Sequence, residues 1–138
     1  MPMPSLPPGP AYRRGYVTAI MSLDGVMLLI GLATAAVSFT WARVPGDYDV
    51  MLHVTFGALI SILTVFRVLM AYGQFWPEVP TFVLGLFVFL LPTWMHMLWN
   101  NPYTIGHETA GGIVMLFSFI SAVLTITEMR RHRPPVAV

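Results

Sequence analysis

Four apolar runs constrain this chain more than any other feature in it. They extend from about Tyr16 to Trp41, Val50 to Tyr72, Thr81 to Trp99 and Ile105 to Met129. Crossing the hydrocarbon core of a bilayer takes roughly 20 apolar residues at about 1.5 Å rise each, and the runs are of that length. With no water at that depth, the backbone must satisfy its own hydrogen bonds, so such runs fold as helices. The expected fold is all-α: an integral membrane bundle of four transmembrane helices, up-down-up-down, with short loops. Residues 1–15 read as an extended or disordered tail with five prolines before Ala11, residues 16–129 as the helical domain, and residues 130–138 as a basic, Pro-containing tail.

Composition agrees with a membrane class and removes others. Only 9% of the 138 residues are charged and 57% are hydrophobic, too little charge for a soluble domain of this size. There is no cysteine, which removes disulfides, Cys-zinc sites and iron–sulfur clusters. A net charge of +1 gives no basis for nucleic-acid binding. No P-loop, G-x-S-x-G or H-E-x-x-H pattern occurs, so the common nucleotide and hydrolase signatures are missing. No catalytic residue is assigned, and the pattern favours a carrier or accessory subunit over a stand-alone enzyme. A signal peptide is the rival reading of the first run, with Arg13 and Arg14 ahead of it; its length favours a retained helix.

Arginine placement orients the bundle. Arg13 and Arg14 precede the first helix, Arg130, Arg131 and Arg133 follow the fourth, and Arg67 approaches the second turn. Only Arg43 lies on the other side. The positive-inside rule then places both termini in the cytoplasm, in a membrane expected to be the bacterial inner one.

Two short stretches echo each other: His53-Val54-Thr55-Phe56-Gly57 and His107-Glu108-Thr109-Ala110-Gly111. Each opens an apolar run, and each sets a histidine one helical turn before a glycine, on a shared face. In the expected topology His53, His107 and His96 fall in one layer near the outer face, and intramembrane ionisable residues normally face the bundle interior. Two stripes follow: His53, Gly57, Ser61, Thr64 and Val68 on helix two, and His107, Gly111, Met115, Ser118 and Ala122 on helix four. One reading makes His53 and His107 axial ligands of a b-type haem, with Gly57 and Gly111 leaving space for the porphyrin and Arg43 meeting a propionate. His96 is an alternative ligand, or a partner for a propionate or a quinone. A second reading is copper or zinc held by the three histidines with Asp47, Asp49 or Glu108. A third treats the histidines as interfacial and the glycines as helix-packing residues. Deeper in, Asp24 on helix one and Arg67 on helix two lie at matching depth, which predicts an ion pair neutralising two expensive charges, with a proton relay or quinone-headgroup site as the functional alternative.

The stretch HVTFGALISILTVFR, with His53, Gly57 and Arg67, supported by His107 and Gly111, resembles the four-helix membrane cytochromes b of bacteria, the cytochrome b-561 type. The resemblance implies haem-b electron transfer between a quinone pool and a partner. That family usually binds two haems and uses a histidine in helix one. Helix one has none here, so the resemblance implies a single haem on the outer side. The expected function is a membrane electron-transfer subunit within a larger respiratory or photosynthetic complex. The alternative is an accessory subunit that packs against lipids, neighbouring membrane subunits or pigments, where a histidine would ligate a chlorophyll-type magnesium.

Overall fold

The computed structural model describes residues 12–41, 48–70, 73–94 and 102–132. They form four α-helices: α1 (Arg14–Trp41), α2 (Tyr48–Met70), α3 (Glu78–Trp94) and α4 (Pro102–Arg131). No strand occurs among the described residues. Three helices, α1, α2 and α4, contain stretches long and apolar enough to cross a membrane, and α3 is a shorter apolar helix.

Polarity is distributed the opposite way from a water-soluble protein. Leu29, Leu32, Met51, Ile62, Leu69, Val83, Leu116 and Phe119 are exposed, while Asp24, Thr64, Arg67, Glu78, Thr81, Ser118, Ser121, Thr125 and Glu128 are buried. An apolar coat around a polar interior is what a hydrocarbon solvent selects.

The helices pair as two hairpins, α1 with α2 and α3 with α4, each closed by glycines. A Cβ built on Gly57 would lie 2.5 Å from the Ala35 amide nitrogen, and one on Gly31 would lie 2.9 Å from the Gly57 carbonyl oxygen. The second hairpin repeats this contact by contact. A Cβ on Gly111 would lie 2.6 Å from the Gly85 carbonyl oxygen and would also meet the Phe89 amide; one on Gly85 would lie 3.1 Å from the Gly111 carbonyl oxygen. Each residue of the second set stands 54 positions after its counterpart: Gly31 and Gly85, Ala35 and Phe89, Gly57 and Gly111. The buried faces keep the same register, pairing Asp24 with Glu78, Ile60 with Val114 and Thr64 with Ser118. The fold is therefore a helical hairpin present twice, with α1 matching α3 and α2 matching α4.

Three details differ from the sequence-based expectation. First, α3 begins at Glu78, not Thr81. Gly73 makes the preceding turn at φ 80°, and the Glu78 and Val79 amides donate to the Phe75 and Trp76 carbonyls. Pro80 then sits in the first helical turn, where a missing N–H costs nothing. Second, α4 begins at Pro102 for the same reason. Third, the fully buried stripe of α2 is Gly57, Ile60, Thr64 and Arg67, one residue round from the expected Ser61 and Val68, and this rotation turns Arg67 inward.

The glycine contacts give a direct test. Gly57→Val and Gly111→Val should each destabilise the protein by about 1–3 kcal/mol, the range for overpacked sites. Gly25→Ala, where a Cβ meets nothing within 4 Å, should leave stability unchanged or slightly raised. Thermal unfolding in mild detergent checks this; equal effects at all three positions would remove the packing role.

Candidate functional site

Polar side chains gather in two layers. His53 and Arg67 are 14 residues apart on α2, and His107 and Ser121 are 14 apart on α4. At about 1.5 Å per residue the layers are separated by roughly 21 Å.

The first layer is the histidine pair. The rings of His53 and His107 lie 5.1 Å apart, centre to centre, with planes at 69°. They are equivalent residues of the two hairpins and meet where the hairpins face each other. Both line a cavity of about 480 Å³ whose other walls include Ile30, Ala33 and Val37 of α1, Val88 of α3, and Ala110 and Ile113 of α4. The equivalent place between α2 and α3 holds aromatic rings. Ala33 and Ala110 correspond, in the 54-residue register, to Phe87 and Phe56. Those two phenylalanine rings lie 5.2 Å apart, tilted at 32°, between α2 and α3. Two aromatic rings thus occupy one crevice, and two alanines leave its counterpart open.

This geometry bears on the haem reading. Imidazole nitrogens on opposite sides of one metal stand about 4 Å apart, twice a metal–nitrogen bond, which puts ring centres roughly 6 Å apart. At 5.1 Å the His53 and His107 rings touch each other, and no porphyrin is accommodated between them as placed. Nor do Gly57 and Gly111 open onto the space between the histidines: their bare faces are filled by backbone of α1 and α3. Their role in the structure is helix packing. His96, Arg43, Asp47 and Asp49 lie outside the described residues or their described side chains. Among the described residues, no group of three or more His, Cys, Asp or Glu is placed to hold a metal ion.

The second layer draws on all four helices. Arg67 of α2 donates from Nη1 to Asp24 Oδ1 of α1 and to Ser121 Oγ of α4 at 3.3 Å, while its Nε lies 2.6 Å from Glu78 Oε1 of α3. Asp24, Arg67 and Glu78 are only 2%, 3% and 2% exposed. The structure thus places the residues expected as a pair, Asp24 and Arg67, in direct contact, and adds Glu78. Glu78 precedes the apolar run that starts at Thr81 and stands between Pro77 and Pro80, which is turn chemistry by itself. Its correspondence to Asp24, 54 residues earlier, was the available signal.

Further toward the chain termini the polar column continues along α4. Tyr16 and Thr125 share a hydroxyl hydrogen bond of 3.0 Å. Glu128 accepts from the Arg13 backbone amide at 3.1 Å and from Arg13 Nε at 3.0 Å, with His132 at 3.7 Å. These contacts tie the start of α1 to the end of α4. Toward the histidines, the Ser118 hydroxyl meets Met27 Sδ at 3.7 Å.

Comparison with family models, with curated proteins and with solved structures returns no match.

Removing Arg67 should leave the buried acids Asp24 and Glu78 without a cation. Arg67→Met is expected to destabilise the protein by about 3–5 kcal/mol, the cost of leaving buried charge without its partner. Adding Asp24→Asn and Glu78→Gln to it should recover most of that loss. Denaturant titration in detergent checks both; a triple variant no more stable than Arg67→Met would show that the charges are not what Arg67 is there to balance.

Proposed function

We propose that this chain is a membrane electron-transfer subunit whose apolar chamber holds the ring of a quinone-class molecule, with His53 and His107 as its polar contacts. The observation carrying this reading is the cavity beside the histidines: where the Phe56–Phe87 ring pair sits between α2 and α3, the equivalent place between α1 and α4 leaves space beside two imidazoles. A ring system is of the size to take the place of two neighbouring phenyl groups. A volume of about 480 Å³ falls within the usual few hundred to 1,000 Å³ of small-molecule sites, which are mostly apolar with few polar groups. An imidazole can donate to a ring carbonyl through N–H or accept through its other nitrogen. The resemblance of HVTFGALISILTVFR to the cytochrome b-561 type supplies the electron-transfer class.

The orientation belongs to the same proposal. Arg13, Arg14, Arg130 and Arg131 cluster at one end of the helices, which the positive-inside rule assigns to the cytoplasm. The histidine chamber then lies toward the outer face of a bacterial inner membrane. Trp76 and Trp94, exposed at the two ends of α3, suit the two interfaces where tryptophan concentrates. Short connections and an apolar coat suit a subunit of a larger respiratory or photosynthetic assembly.

The chamber can be closed with side chains the fold already accommodates elsewhere. Protein purified from bacterial membranes should carry extractable quinone near one per chain. The Ala33→Phe/Ala110→Phe variant should reduce it at least about tenfold, equivalent to 1.4 kcal/mol of binding, with thermal stability kept. His53→Ala and His107→Ala should weaken retention without closing the chamber. A reduced-minus-oxidised visible spectrum of the same preparations tests the other cofactor: a b-type spectrum lost in both histidine variants would replace quinone by haem. Colourless, quinone-free protein that is well folded would leave the accessory-subunit role.

A further inference from the structure

The 54-residue register sets the two hairpins side by side and shows where they differ in charge. Each contributes a buried carboxylate at the equivalent position, Asp24 from α1 and Glu78 from α3. Only the first contributes a cation: Arg67 of α2 has Ser121 of α4 as its counterpart. Two acids therefore converge on one guanidinium.

The hydrogen bonding is as unequal as the charge. Arg67 is engaged by Asp24 Oδ1 and Ser121 Oγ. Its Nε contact with Glu78 Oε1, at 2.6 Å, is an ion contact without hydrogen-bond alignment. Among the described residues, Asp24 Oδ2 and both Glu78 oxygens are buried with no hydrogen-bond partner. A buried carboxylate needs a balancing charge and donors for its lone pairs. One guanidinium neutralises one carboxylate, and an ionised second one would carry a full negative charge in a low-dielectric interior.

Among the described residues, the groups that face this cluster offer no second cation. From α1 there is Asp24 itself and, toward the termini, the Tyr16 hydroxyl bonded to Thr125. From α2 there is Arg67, and from α3 Glu78. From α4 there is the Ser121 hydroxyl and, about two turns on, Glu128, whose carboxylate is held by Arg13 and His132.

We propose that the Asp24–Arg67–Glu78 cluster is a proton-binding site. One proton binds a carboxylate oxygen and converts it to a carboxylic acid, so two acids and one guanidinium sum to zero charge. Asp24, which receives the aligned Arg67 N–H, stays ionised, and Glu78 carries the proton. The acid hydrogen also supplies a donor to a cluster with three orphaned acceptors. Arg13, Glu128, Tyr16 and Thr125 lie between the cluster and the end bearing the chain termini. This inference does not depend on what fills the histidine chamber.

Infrared spectroscopy reads a protonated carboxyl directly through its carbonyl stretch, which shifts in D2O. Wild-type protein in a detergent free of carbonyl groups, at neutral pH, should show one such band. The band should vanish in Glu78→Gln and also in Asp24→Asn, because either change leaves a single carboxylate balanced by Arg67. The two variants are independent, so failure of one to fold leaves the other as the test. No band in folded wild-type protein, or a band that survives in either folded variant, overturns the assignment. The ring-ligand reading would be untouched, since quinone content is measured separately.

Discussion

Everything in this molecule is positioned by two places where backbone meets backbone. At Gly31–Gly57 and again at Gly85–Gly111 the helices approach until there is no room for a methyl group. In hydrocarbon there is no hydrophobic force to press helices together, so dispersion and close packing must do it. That need explains glycine at all four positions, although glycine is a poor helix former in water. Once each hairpin is closed this way, its buried face is fixed. The faces of the two hairpins then meet and bring together residues far apart in sequence, such as Asp24, Arg67, Glu78 and Ser121.

The repeat supplies the frame, and the departures from it supply the chemistry. Where both halves agree, as with the glycines, the histidines and the carboxylates, the result is packing or a paired group. Where they differ, something is left over. Phenylalanines against alanines leave a chamber, and arginine against serine leaves an unbalanced acid. Neither feature can be seen in one hairpin alone.

Much of the fold was legible because run length and charge scarcity are strong signals in a bilayer. Helix ends were less so: Pro80 and Pro102 look like breakers, yet each sits in a first turn where proline is tolerated. The meeting of His53 with His107 was legible from topology, since both open helices that start at the same end. The role of Gly57 and Gly111 was not. Residues four apart on a helix are rotated by about 40°, enough for a histidine to face the opposite hairpin while its glycine faces the helix of its own. Glu78 was missed because local turn chemistry, with Pro77 and Pro80 on either side, outweighed a correspondence visible only at 54-residue range. The pairing of Asp24 with Arg67 could be inferred from depth; the third partner needed the packing of α3.

The direction of the repeat carries one more implication. Contacts such as Tyr16–Thr125, Asp24–Arg67 and Phe56–Phe87 make neighbouring helices antiparallel, so α1 and α3 run the same way. The axis relating the hairpins therefore lies along the helices and not across them. Transporters that expose a site to either side in turn are commonly built on inverted repeats, whose exchange of shapes swaps inside for outside. Exchanging the halves of a parallel repeat leaves inside and outside where they were. Its two ends stay chemically distinct, imidazoles at one and carboxylates with arginine at the other, and the molecule has a permanent front and back.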